Sequence, residues 1–403
     1  MSSVQGTAAA PPVPSAAQVF LARAFRPFFF AAGLFGGLLL LAWMLALAGV
    51  FAPPSHLSAR DWHVHEMIFG YFTAAMSGFL LTAVPNWTGR MPIMGRPLAL
   101  LFGLWVAGRL AMFASAGWAE LAIVVDAAYL PLLTFLIWRE IIAGNNRRNI
   151  IVALLVSLLA VANLLFHAEW LTGAPLVAPA ERLALAVAAG LMMLIGGRIV
   201  PSFTRNWLMK QGFKKESQLP ASFGKFDKAA VLLAGLALAA WVVWPDALIT
   251  AVLFALAAPL HLLRLARWRG WRALREPLVW ILHAGYLWLP AWFALMAAAI
   301  TGMVPFTDAL HALTAGAIIS MTLAVMTRAS RGHSGRPLVA DALTTIIYLL
   351  AIAAGVVRVA AAVLPPFMAW HLSATLAIAA LWLFAFGYAP MFFRPRPDQF
   401  PRR

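Results

Sequence analysis

The sequence predicts an all-α integral membrane protein of twelve transmembrane helices with both termini cytoplasmic. Three observations predict it. Of 403 residues, 63% are hydrophobic and 11% charged, whereas soluble domains carry about 25% charged residues. Mean hydropathy is +0.85, and apolar stretches recur that are long enough to cross about 30 Å of hydrocarbon as helices. The basic residues also alternate between loops in step with those stretches. Such a composition excludes a cytosolic enzyme, a secreted disulfide scaffold and a disordered chain. A formal charge of +16 would suggest nucleic acid in a soluble protein, but in a membrane protein it records orientation. With no cysteine, disulfides, iron–sulfur clusters and thiolate metal sites are excluded. Any metal then falls to His, Met, carboxylate or Tyr.

Residues 1–22 begin Ala/Pro/Ser-rich, without the charged start of a signal peptide, and read as a disordered cytoplasmic tail. A membrane domain follows over 23–393, and a basic cytoplasmic tail over 394–403. Within the domain the apolar segments run at 27–51, 62–84, 97–116, 118–138, 149–170 and 178–200, then 229–245, 247–266, 277–300, 308–329, 338–362 and 367–391. Only Trp244–Pro245–Asp246 separates the seventh from the eighth. With the N-terminus inside, twenty-six of the thirty Lys and Arg residues fall on the inner side, as the positive-inside rule expects. Arg60, Arg109, Arg182 and Arg358 are the four that do not.

A repeat is visible beneath this pattern. Gly95–Arg96–Pro97–Leu98 opens the third span and Gly335–Arg336–Pro337–Leu338 the eleventh; Val84–Pro85 near the end of the second matches Val200–Pro201 in the sixth. Three units of four helices would make spans two, six and ten equivalent and set His65 opposite His311. Membrane folds often place their sites where such repeats meet.

Ionisable residues within a membrane are costly unless paired, so each is a candidate site. The topology sorts the nine histidines into two layers. His63, His65, His311, His371, His167 and His56 lie towards the outside, and His261, His283 and His333 towards the inside. In Trp62–His63–Val64–His65–Glu66, a regular helix turns His63 and His65 about 200° apart, so they cannot share one metal. His63 and Glu66 would then share a face, leaving His65 free to meet His311 as the axial pair of a haem iron. Arg109 and Arg358, two turns below the outer surface, would hold the propionates. Arg109 has an equal alternative in Asp126, and histidines near helix ends can be merely interfacial. Inside, His261, His283 and His333 suit copper, with Tyr286 placed to orient His283; the bland reading is that they bind lipid phosphate or cap helices.

Several runs resemble the NnrS family of bacterial membrane proteins. They are Ala24–Phe25–Arg26–Pro27–Phe28–Phe29, Trp62–His63–Val64–His65–Glu66–Met67–Ile68–Phe69–Gly70, the run from Gly78 to Gly89, His311–Ala312–Leu313–Thr314, and Met326–Thr327–Arg328 through Arg336. The resemblance spans residues 23 to about 390. It implies a protein containing haem b and copper that interacts with nitric oxide or metal–nitrosyl species and protects against nitrosative stress. It does not say which histidine holds which metal. A looser, fold-level similarity links twelve helices in three fours to the catalytic subunit of haem–copper oxidases, although spans six and seven carry no histidine. The residues leave open whether a haem-dependent oxidoreductase turns the gas over or a binding protein sequesters it. Buried Arg and His would also serve a secondary transporter or a metal or haem permease.

Overall fold

The computed structural model describes residues 14–397, and its only regular structure among these is helical. Twelve helices are long and apolar enough to span a membrane. They are α1 (Phe25–Leu47), α2 (Ala59–Thr88), α3 (Arg96–Phe113), α4 (Ala119–Ala143), α5 (Arg147–Thr172) and α6 (Val177–Lys210). Then follow α7 (Lys225–Val243), α8 (Leu248–Arg272), α9 (Pro277–Ile300), α10 (Phe306–His333), α11 (Ala342–Ala362) and α12 (Pro366–Gly387). The break between α7 and α8 is real: the chain turns at Trp244, whose carbonyl accepts from the Thr250 hydroxyl at 2.8 Å.

Local sequence fixes the helix ends. Ser58 caps α2 by accepting from the Asp61 N–H, and Asp341 caps α11 by accepting from the Thr344 N–H; each satisfies a donor that the first turn leaves unpaired. At the far end of α2, Gly89 takes a left-handed φ of 71°, which a Cβ would disfavour. Helix exteriors stay apolar: Leu121, Leu132 and Phe135 of α4 all face outward exposed. An apolar outer face of this kind belongs against lipid.

Part of the expected N-terminal tail lies outside the described residues. From Ala16 to Phe20 the chain is instead helical, capped by Ser15, and Phe20 stacks on Phe393 with ring centroids 4.8 Å apart. Arg26 explains why the two ends of the membrane domain meet. Its buried guanidinium donates to the carbonyls of Phe392 and Arg394 at 3.0 and 3.1 Å, while α1 packs along α12. Arg394 is thus part of this junction, and residues 398–403 of the expected basic tail lie outside the described residues.

The three helices that the repeat makes equivalent stand out. α2, α6 and α10 are the longest and most buried spans, and each contains a π-helical turn: Glu66–Phe72, Met192–Gly196 and Ala312–Ile318. In α2 and α10 that turn begins at the same step, one residue after His65 and His311 respectively. In α6 it lies deeper. The three helices border one apolar cavity of about 80 Å³, lined by Phe72 and Met76 of α2, Met192 and Ile195 of α6, and Met321 and Met326 of α10.

Candidate functional site: a buried histidine–carboxylate cluster

The site grows from the π turn in α2. A regular helix advances each side chain about 100°; an i to i+5 turn adds a residue and changes that phase, a device found often at functional sites. Here it begins at Glu66, immediately after His65. The His65 ring is fully buried. Its Nδ1 lies 2.9 Å from Glu66 Oε1, and its Nε2 lies 3.2 Å from Asn163 Oδ1 and 3.3 Å from Asp126 Oδ2.

Four further residues complete the cluster from three other helices. His167 of α5 brings Nε2 to 2.8 Å from the same Asp126 Oδ2, and Asn163, one turn earlier, donates to that oxygen at 3.1 Å. Arg109 of α3 donates to Glu66 Oε1 at 2.6 Å and, through its other amino group, to Asp126 Oδ1. Phe69 and Phe166 pack on the His65 ring, with centroids 5.1 and 5.2 Å away. One cation thus serves two carboxylates, so with both imidazoles neutral the cluster keeps one net negative charge. Glu66 Oε2 and His167 Nδ1 are buried without a hydrogen-bond partner, and an unsatisfied buried carboxylate oxygen is costly.

Donor atoms of His65, Asp126 and His167 all lie within 4.8 Å of one another, the one such group of three among the described residues. Two imidazoles and a carboxylate form a donor set suited to copper, zinc or non-haem iron. Glu66 holds the other nitrogen of His65, which fixes its orientation, and two carboxylates that share one guanidinium favour a further cation.

Above the cluster, His56 bonds Ser115 Oγ through Nδ1 at 2.8 Å and packs edge-on against Trp170. Burial lowers its pKa to about 4, helped by the nearby His167 and His65.

The structure does not bring His65 to His311. His65 turns into the α3–α4–α5 cluster, while its neighbour His63 faces the other way. The His63 ring stacks on Trp43 at 4.5 Å, leaves a buried Nδ1 unpartnered, and lies in the electrostatic field of His311 and Arg358. His63 and Glu66, expected on one face, are thus separated, with Glu66 committed to His65 and Arg109. His311 directs Nδ1 to the Thr307 carbonyl at 2.6 Å. Arg358 pairs with Asp308 at 2.6 Å and lies over the Trp370 ring. His371 bonds only the Phe367 carbonyl, at 2.8 Å, in the contacts described.

The three inner histidines occupy three separate places. His261 is satisfied on both nitrogens, by Tyr286 Oη at 3.0 Å and the Ala230 carbonyl at 3.2 Å. His283 bonds Thr204 Oγ1 at 2.8 Å and lies against Gly270. His333 packs on the Phe25 ring. Tyr286 therefore serves His261 and Arg264, not His283.

His167 and Asn163 are the residues whose role the sequence reading missed. They stand four apart on α5, one face of a helix, and that spacing was the available signal.

Twelve spans around a buried histidine–carboxylate cluster define a polytopic membrane protein with a candidate metal centre. The chain belongs to the NnrS family: the family profile described as NnrS protein matches residues 19–396. No curated protein matches it.

Proposed function

We propose that this protein holds a metal ion on His65, Asp126 and His167, and a haem b beside it, and that it engages nitric oxide or metal–nitrosyl species to limit nitrosative damage. The convergence of those three side chains carries the reading. Copper is the metal that joins this donor set to the family resemblance, in place of the inner histidines, which stand apart. For haem, His63 and His311 suit the iron better than His65, which belongs to the cluster with Asp126 and His167. Arg358, expected to meet a propionate, pairs instead with Asp308, and Arg109 belongs to the metal cluster. A bound haem would supply redox-active iron, which would take up a small ligand only where His63 or His311 gives way. The protein's own residues orient the imidazoles, set the local charge and exclude water through Phe69, Phe166 and Trp43. The basic face is assigned to the cytoplasm of the bacterial inner membrane, which sets this layer in the outer half, open to a gas that partitions into lipid.

The test is elemental analysis with optical spectra of purified protein. Copper should be lost in His65→Ala and His167→Ala with the Soret band kept, and the Soret band lost in His63→Ala and His311→Ala with copper kept. A wild-type protein that is colourless and metal-free yet binds a solute would replace this reading with a permease.

A further inference from the structure

On the basic face, away from the histidine layer, a cavity of about 910 Å³ opens beside α6. Four arginines line it, and their partners differ. Arg264, at its floor, is neutralised: it donates to Asp227 at 3.1 Å, to Tyr286 Oη at 2.7 Å and to the Met193 carbonyl at 3.3 Å. Gly197 makes room for that guanidinium, since a Cβ there would fall 2.2 Å from Arg264 Nη2. Arg205 is neutralised by Glu216 at 2.5 and 3.0 Å.

Arg198 and Arg148 are not neutralised. Arg198 donates to the neutral Asn149 Oδ1 at 2.5 Å and to the Arg148 carbonyl at 3.3 Å. The Arg148 guanidinium has no ion pair among the described residues. Two guanidinium groups therefore line one cavity with no ion pair to either among the described residues, and their mutual repulsion is one that an anion relieves. Leu194, Val231 and Phe223 continue the wall, so the same cavity offers an apolar side.

We propose that Arg148 and Arg198 bind the phosphate group of an anionic ligand in this cavity. Guanidinium forks match phosphate oxygens in pairs, and basic pockets between transmembrane helices on the cytoplasmic side receive anionic headgroups. The phosphate comes either from a lipid headgroup whose chains lie along the apolar wall or from a free phosphate compound.

Purified full-length protein distinguishes these sources. Native mass spectrometry follows phosphatidylglycerol or cardiolipin against phosphatidylcholine, and calorimetry follows inorganic phosphate. Arg148→Gln/Arg198→Gln should weaken binding of the preferred probe about tenfold or more, the loss expected for charge-assisted hydrogen bonds. Lys210→Gln/Lys214→Gln, which removes equal charge from the same face, should change it less than twofold. Selective loss of anionic lipid identifies the lipid source, and selective loss of phosphate the free anion. Equal weakening by both double variants, or no binding of any probe by the wild type, overturns the proposal. Arg148 is exposed, so Arg148→Gln alone carries the test if the double variant elutes as misfolded.

Discussion

At the scale of residues, the membrane decides which polar groups survive, and the arginines buried within α3 and α11 do so by finding a counter-charge. Arg109 sits between Glu66 and Asp126, and Arg358 against Asp308. The stray arginines in the apolar segments marked both places, but a sequence does not say whether a carboxylate of the chain or of a cofactor answers them. Asp341 shows the same pairing at the basic face. Its burial opposes ionisation, yet hydrogen bonds from Thr344 and Arg331 outweigh that and hold its pKa at about 2. A lowered carboxylate pKa adds stability that is complete above the ordinary value of 3.8 and is lost as pH falls towards 2. Asp341→Ala should therefore lower stability by about 1 kcal/mol near neutral pH through loss of the α11 cap. The gap between variant and wild type should close as pH falls from 4 to about 2. Thermal unfolding in detergent over that range checks it; a gap that does not narrow would show that the cap, not the charge, carries the whole effect.

Among elements, hydropathy and charge alternation made all twelve spans legible, because helix length is set by bilayer thickness and loop charge by orientation. Facing was not legible past His65. A regular 100° step sets His63 and Glu66 within about 60° of each other, yet Glu66 turns to His65 and Arg109, and the π turn that starts at Glu66 shifts the phase of this end of α2 against the rest of the helix. Such a turn has no sequence signature in an apolar run, since its extra residue is accommodated by neighbouring helices. This makes the cluster depend on one residue of helix phase. Deleting Met67, which lies within the turn, should restore a regular helix and rotate His65 by about 100° relative to the rest of α2. The prediction is loss of the metal held by His65, Asp126 and His167 while the protein still inserts and elutes as the wild type does. Metal content unchanged after the deletion would mean that the turn does not set the cluster.

For the whole molecule, two opposed layers emerge from one charge pattern. Basic residues gather on one face, leaving the other half to a few paired ions and histidines, and the +16 charge is the trace of that division. Between the layers, α2, α6 and α10 meet at the apolar cavity of about 80 Å³. Phe72 lines this cavity and ends the π turn, while Phe69, earlier in the same turn, packs on His65, so one turn of α2 borders both the cavity and the cluster. Apolar cavities of modest size stay dry and accept small apolar guests such as xenon. This cavity is open on one side, so a neutral diatomic gas that reaches it from the surroundings meets an apolar wall there. Xenon should occupy it in the wild type, detected as a distinct bound resonance by ¹²⁹Xe NMR. Ala75→Phe, which adds a ring at a lining position, should abolish that resonance without displacing the metal. Bound xenon that persists in Ala75→Phe would assign the gas to another part of the bundle, and the three central helices would then owe their close packing to structure alone.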